Sequence, residues 1–221
     1  IAQRLANKAD RISPEILRRL RRHYYGQITH IDYQLGRFFG ELKTKRLYDN
    51  TVIVTTSDHG EHLGDHRLFA KYTFLESAAR IPIIVRYPER LPVSREDAHK
   101  PVLTADIPIT LMELAGLELP NDTDGISLLN LPDERLIFGE TETSAFATDG
   151  QWKYIYYPDG GIEHLFNVLE DPDDLHNLAS QEAGTTQLTR LKEALRNYLI
   201  QRQRPMVNQE GQFITTSMTI D

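Results

Sequence analysis

The sequence has 221 residues, 40% hydrophobic and 26% charged, an ordinary balance for a globular chain with a buried core and far from a disordered composition. The 32 acidic residues outnumber the 25 basic ones, for a formal charge of −7, and the arginines at Arg18, Arg19, Arg21 and Arg22 form a local cluster, which argues against a nucleic-acid partner. Without cysteine these residues hold no disulfide, thiolate metal site or thiol nucleophile, and no apolar run reaches the ~20 residues of a membrane span.

Ser13-Pro14-Glu15 predicts a helix start: Ser caps free N–H groups, Pro is tolerated in the first turn, and an acid suits the positive end of the dipole. Leu17, Leu20, Tyr24, Ile28, Ile31, Leu35, Phe38 and Leu42 then recur at steps of three and four, one apolar stripe on a helix of about seven to eight turns. Gly26, Gly36 and Gly40 each cost such a helix about 1 kcal/mol relative to Ala, so they are expected to mark close packing against a neighbour. The β-branched run Thr51 to Thr56 shows no alternation and predicts a strand covered on both faces, as in a parallel sheet flanked by helices. Ile81 to Val85 is a second strand, with Pro82 at its start or on an edge. Asp106 to Leu114 reads as a helix with Leu111, Leu114 and Ala115 facing inward and Gly116 as its left-handed stop, and Leu119 to Gly125 reads as a surface loop.

Beyond about residue 130 the texture changes. Segments 135–140, 152–157 and 164–168 are short strands separated by Asp149-Gly150 and Asp159-Gly160-Gly161, which predicts an antiparallel sheet. A helix over 187–199 is expected to cover one face through Leu188, Leu191, Leu195 and Tyr198. The polar tail after Pro205 is either frayed or an arm on a neighbour. The aromatic run Trp152 to Tyr157 reads as core or sheet face.

Chemistry concentrates in Ser57-Asp58-His59-Gly60-Glu61-His62-Leu63-Gly64-Asp65-His66, directly after the first strand. In open α/β sheets, ligand sites lie at the carboxyl ends of strands. Carboxylate and imidazole side by side form a usable pair for a divalent cation, and Gly60 permits close backbone approach. The alternative is a turn in which Asp58 caps a backbone N–H and His59 is merely exposed. His62 and His66 read as solvated or supporting residues rather than ligands. Lys71, a few residues on, supplies a point charge suited to phosphoryl or sulfuryl oxygen.

Ser57-Asp58-His59-Gly60-Glu61-x-Leu63-Gly64-Asp65-His66, followed by Lys71 and by Arg80-Ile81-Pro82-Ile83-Ile84, resembles the carboxyl-terminal half of sulfatases of the alkaline phosphatase superfamily. The likeness extends upstream through Tyr24, Asp32, Leu35-Gly36-Arg37 and Asn50-Thr51-Val52. Downstream it takes in Asp106-Ile107, Asp124-Gly125-x-Ser127-Leu128, Trp152-Lys153-Tyr154, Asp171-Pro172 and Asn177-Leu178, so that residues 14–180 are covered.

This resemblance implies an α/β fold: part of an alkaline-phosphatase-like sheet flanked by helices over residues 1–130, then a small antiparallel α+β subdomain with a helix and tail over 131–221. It implies a hydrolase of sulfate esters, or of phosphonate and phosphate esters in similar relatives, dependent on a divalent metal ion. Asp58 and His59 match metal ligands, with calcium or manganese as the ion. Lys71 matches the catalytic lysine that contacts the sulfate, and His66 is assigned to the substrate side. The family's formylglycine nucleophile arises in a Cys- or Ser-x-Pro-x-Arg motif, and neither Ser13-Pro14 nor Ser94-Arg95 fits that spacing. The nucleophile is therefore expected outside this chain, in the missing amino-terminal half of the same protein, and the isolated chain is expected to be inactive. A strand 51–56 short of neighbours predicts a homo-oligomer, a swap or an exposed apolar patch around Val52 and Val54. A noncatalytic interaction module is the alternative of a different class.

Overall fold

The computed structural model describes residues 12–91 and 100–217, so Ser94 and Arg95 lie outside the described residues. Two compact units divide them, 12–71 with 80–91 and 72–79 with 100–217. Residues 100–130 thus group with the carboxyl-terminal sheet. No helix among the described residues is long and apolar enough to cross a membrane.

The first unit opens with helix α1, Pro14–Thr44, whose start is set as expected: Ser13 Oγ accepts the Ile16 amide at 3.3 Å. It buries no residue. Leu17, Tyr24, Leu35, Phe39 and Leu42 are half-buried, whereas Leu20, Ile28, Ile31 and Phe38 of the expected stripe are exposed. A Cβ at Gly26, Gly36 or Gly40 would meet nothing within 4 Å, so these glycines pack closely against nothing among the described residues. After a turn at Tyr48–Asn50, strand β1, Ile53–Thr56, leads to the site loop. Strand β2, Ile83–Arg86, pairs with β1 with Ile53 opposite Arg86 and Thr56 opposite Ile83. The pairing is antiparallel, not the parallel arrangement expected. A β-branched run reports cover on two faces but carries no information about the direction of its neighbour. Pro82 falls just before β2, where its absent N–H takes nothing from the ladder. Arg86 locks the pair to the preceding turn, donating to Tyr48 O at 2.7 Å and Thr51 O at 3.0 Å while lying 4.0 Å from the Tyr48 ring centroid.

The second unit contains the core. Four antiparallel strands, β3 (Ile137–Glu140), β4 (Ala145–Thr148), β5 (Trp152–Tyr157) and β6 (Ile162–Asn167), lie in that order in one sheet. Helices α2 (Glu76–Ala79) and α3 (Asp106–Leu114) precede it in sequence, and α4 (Thr185–Gln201) follows. Leu191, Leu195 and Leu199 recur every four residues along α4 and pack with Tyr154, Leu165, Ala145 and Ala147, all fully buried. Strand β4 is the one strand of this sheet that the sequence reading lacks. Its inward residues are alanines, which let α4 approach closely but give little hydrophobic signal. Tyr198 stacks on Phe138 at 4.6 Å and 9°. As far as residue 217 the tail packs on its own sheet instead of fraying or reaching away: Tyr156 donates to Ile214 O at 2.8 Å, Phe213 lies 4.4 Å from the Tyr156 ring, and Thr216 exchanges bonds with Gly160 and Pro158.

Buried charges fasten the segments around this sheet. The inward face of α3 is Asp106, Ile109 and Thr110, whereas Leu111 and Ala115, expected inside, are exposed. Asp106 turns inward because Arg135 meets both its oxygens, at 2.6 and 2.7 Å, and the amides of Leu103 and Ile126 complete its shell. Gly125 is obligatory beside it, since a Cβ there would lie 2.1 Å from Ala105 O. Lys153 is buried on β5, with Nζ 2.6 Å from Asp174 Oδ2 and 2.8 Å from Glu76 Oε1. Asp174 Oδ2 also accepts the Glu76 amide, capping α2. Burial pushes the Asp174 carboxyl above its ordinary range despite Lys153. At the β4–β5 turn, Asp149 Oδ1 accepts the amides of Gln151 and Trp152 at 2.8 and 2.7 Å, and Arg190 of α4 pairs with Oδ2. Burial opposes ionisation of Asp149, but the two amides and Arg190 outweigh it and hold the carboxyl below the usual carboxylate range.

Removing Lys153 leaves two carboxylates facing each other in a dry site, so Lys153→Met should destabilise the second unit by about 3–5 kcal/mol in denaturant titrations followed by the fluorescence of Trp152, the lone tryptophan. Asp149 contributes stability above its free value of 3.8 and loses it as pH falls through its lower folded value. Asp149→Ala should therefore cost about 1.5–3 kcal/mol at neutral pH, and the gap between parent and variant should narrow as pH falls below 3.8 and through the lowered range of this carboxyl.

Candidate active site

Three residues after β1 turn back on themselves. Ser57 Oγ donates to His59 O at 2.9 Å, and the His59 amide donates to Asp58 Oδ1 at 2.9 Å. The turn reading and the cation-pair reading of Asp58 are therefore compatible, because Oδ1 caps the turn while Oδ2 lies 3.3 Å from His59 Nε2. The bond from the His59 amide is the main cause of an Asp58 carboxyl held below its ordinary 3.8. His59 Nδ1 lies 2.8 Å from Gly60 O. A carbonyl only accepts, so Nδ1 carries the proton and Nε2 of the neutral ring presents its lone pair. Lys71 Nζ sits 2.6 Å from that lone pair. The structure thus brings Asp58, His59 and Lys71 together, with a cationic group already in front of the imidazole nitrogen.

The intervening loop explains how residues twelve apart meet. Glu61 Oε1 accepts the amides of Ala70 at 2.6 Å and Leu63 at 3.2 Å. The His62 amide donates to Ala70 O at 3.0 Å and the Gly64 amide to Leu68 O at 2.8 Å, so the chain runs out and back. The reversal is tight: Leu63, His66, Arg67 and Ala70 all adopt positive φ without being glycine, as does Gly64 at 90°. Such strain persists only where the surroundings over-determine it. Helix α1 is part of those surroundings. Leu17 lies so close to Gly64 that a Cβ would come within 2.6 Å of it, and Arg21 donates to Leu63 O at 2.9 Å and pairs with Asp65 at 2.7 Å.

Of the other histidines, His62 is buried rather than solvated, and desolvation, with repulsion from His66 second, pushes its imidazole below 6.5. His66 is half-buried within electrostatic reach of His62. Glu61 and Arg21, which shape the site, went unassigned in the sequence; the signal for Glu61 was its place between the two histidines of the motif.

Among the described residues no three His, Cys, Asp or Glu side chains gather as a metal-binding cluster. Asp58 and His59 nonetheless suit a divalent cation as two donors of a larger set: one offers an anionic oxygen, the other a lone pair whose tautomer is fixed by Gly60.

A sulfatase family model matches residues 2–117, and the model described as N-sulphoglucosamine sulphohydrolase, C-terminal, matches residues 64–202. The chain is 31% identical over 196 residues to an arylsulfatase of Clostridium perfringens, which covers 83% of this chain and 41% of that protein. It is 32% identical over 187 residues to a choline-sulfatase of Rhizobium meliloti, covering 78% and 36% respectively. Its fold resembles that of a phosphonate monoester hydrolase from Silicibacter pomeroyi with a TM-score of 0.70 at 26% identity, over 86% of this chain and 43% of the other. The chain belongs to the sulfatase family, and its fold is that of part of an alkaline-phosphatase-like α/β domain. It spans about two-fifths of the length of the curated relatives it matches.

Replacing Glu61 with Ala should release the returning strand of the loop. Loss of a charge-assisted bond of about 1.5–3 kcal/mol should speed hydrogen exchange of the Ala70 amide about 10- to 100-fold, with the β5 amides unchanged.

Proposed function

We propose that this chain is the carboxyl-terminal part of a metal-dependent sulfatase that hydrolyses sulfate esters. Its family membership and the convergence of Asp58 Oδ2, His59 Nε2 and Lys71 Nζ on one point support this reading. Asp58 and His59 would supply two ligands to a calcium or manganese ion. When bound, such an ion draws charge from a nonbridging oxygen of the ester.

The remaining contributions belong to the chain's own side chains. Lys71 carries three N–H donors on a flexible stem, so it can turn from His59 to the oxygens of a tetrahedral anion and stabilise charge that grows there. Gly60 O accepts from His59 Nδ1, which in the neutral ring leaves Nε2 as the acceptor facing Lys71. Glu61 and Arg21 hold the loop that returns Lys71 to this point, acting through the backbone. His66 is assigned to the substrate side of the same loop. The chain has no cysteine and no Ser-x-Pro-x-Arg sequence. The attacking group, a formylglycine, would therefore come from an amino-terminal half of the same protein, and the isolated chain would not turn over.

A phosphonate monoester or phosphodiester hydrolase is the second reading, favoured by the structural likeness to the Silicibacter enzyme. Both ester types present a tetrahedral anion to the same lysine.

In the longer protein that contains this chain, Lys71→Ala should lower kcat/KM for an aryl sulfate by about 100- to 1,000-fold, and Asp58→Ala should abolish micromolar divalent-ion binding in calorimetry. Assaying an aryl phosphonate alongside ranks the two ester classes. Rapid aryl sulfate hydrolysis by the 221-residue chain alone, or unchanged activity in Lys71→Ala, would overturn the proposal.

A further inference from the structure

In the second unit the segment after α4 folds back over the sheet, and an open cleft of about 380 Å³ lies between it, α4 and the start of β6. Small-molecule sites run from about 300 to 1,000 Å³. The walls of the cleft are fixed. The Thr216 amide donates to Pro158 O at 2.8 Å and the Gly160 amide to Thr216 O at 2.9 Å, which fastens the tail beside the β5–β6 turn. Gly161 adopts φ 63°, and a Cβ there would lie 3.0 Å from Thr215 Oγ1, so glycine is what lets the tail come this close. The rings of Tyr156 and Phe213 line the cleft with apolar surface.

The charges around it do not cancel. Glu163 Oε1 receives both Lys192 Nζ and, at 3.1 Å, Tyr154 OH, so the charge of Lys192 is already answered. Arg196, one turn further along α4, is exposed and has no hydrogen-bond or ion-pair partner among the described residues. One positive charge is left over, on a planar fork that suits a carboxylate or sulfate. Other groups are left to meet hydroxyls. Glu163 Oε2 takes no bond from Lys192 or Tyr154. Gln212 Oε1 accepts Asn208 Nδ2 at 3.3 Å, which leaves the Gln212 amide N–H groups to donate. Tyr156 donates its one proton to Ile214 O, so at its 3.3 Å contact with Thr215 the threonine is the donor and keeps its lone pairs.

We infer that this cleft binds a polyhydroxylated monoanion, a pyranose bearing a single carboxylate or sulfate group. Arg196 meets the anionic group, the ring lies toward Phe213, and Glu163 Oε2, the Gln212 amide and Thr215 Oγ1 meet the hydroxyls. The charge balance decides the class. A bare dianion such as inorganic sulfate gains from Arg196 but is repelled by Glu163, and it leaves the groups suited to hydroxyls unused. A neutral sugar gains nothing from Arg196. An apolar ligand would strip water from these polar groups without replacing its hydrogen bonds. Every group named lies in the second unit, whereas Asp58, His59 and Lys71 lie in the first.

NMR titrations of the 221-residue chain at constant ionic strength, read at the amides of Gly161 and residues 212–215, test this. The probes are D-glucuronate and glucose 6-sulfate, with glucose and sodium sulfate as controls. At least one of the two anionic sugars should move these amides with millimolar affinity, about 10-fold or more tighter than either control. Which of them does so identifies the anionic group. Arg196→Gln should weaken that binding about 10-fold or more, and Arg196→Lys should restore only part of it, because an ammonium lacks the fork. Trp152 fluorescence should stay unchanged in both variants, since Arg196 is exposed. Sodium sulfate moving the same amides as strongly as the sugars would reduce the cleft to a site for an adventitious ion only and overturn the inference. So would equal binding of glucose, binding that survives Arg196→Gln intact, or amides that respond to none of the four probes.

Discussion

The ammonium group of Lys153 joins three segments that are far apart in sequence. It is held on the central strand β5, and its two carboxylate partners come from α2 and from the loop after β6. Neither the charge on Lys153 nor that on Asp174 could remain in this interior alone, so the three groups order one another. The same carboxylate that receives Lys153 also receives the first amide of α2, and a four-residue helix too short to persist by itself is thereby fixed to the sheet. Arg135 and Asp106 repeat the arrangement for α3 and the loop at Gly125. The second unit is an apolar layer of leucines and aromatics with its peripheral elements attached by buried ions.

The loop after β1 is organised by a different principle. There the side chains that do the holding are small or short, Ser57, Asp58 and Glu61, and they bond to backbone amides and carbonyls of their own loop. The backbone takes left-handed turns at residues that ordinarily avoid them, and α1 braces the result through Leu17 and Arg21. This local network, not a hydrophobic floor, sets the separation between His59 and Lys71. A histidine whose neutral tautomer is set by a backbone carbonyl, beside a lysine on a flexible stem, is well suited to a role in which one group stays and the other turns.

Much of this was legible in the residues. Helix α1 announced both its cap and its period, α3 its boundaries, and α4 its leucine spacing. The antiparallel sheet followed from turn residues between short apolar runs. Direction of pairing for β1 was not legible, because apolarity is indifferent to it. Strand β4 escaped because its buried side chains are alanines. The inward face of α3 was misread because hydrophobicity was taken as the guide, whereas an Asp with a distant Arg partner occupies the inside. The pair Asp58 and His59, with Lys71, was legible as a motif. What brings them together was not, since it depends on a glutamate and on backbone strain that no periodicity records.

The bidentate pair of Arg135 and Asp106 has a thermal consequence. Hydration of ions weakens as water is heated, so the cost of drying such a pair falls with temperature, whereas apolar burial gains little further. The contribution of this contact to the fold around α3 therefore improves, relative to the leucine layer, as the solution warms.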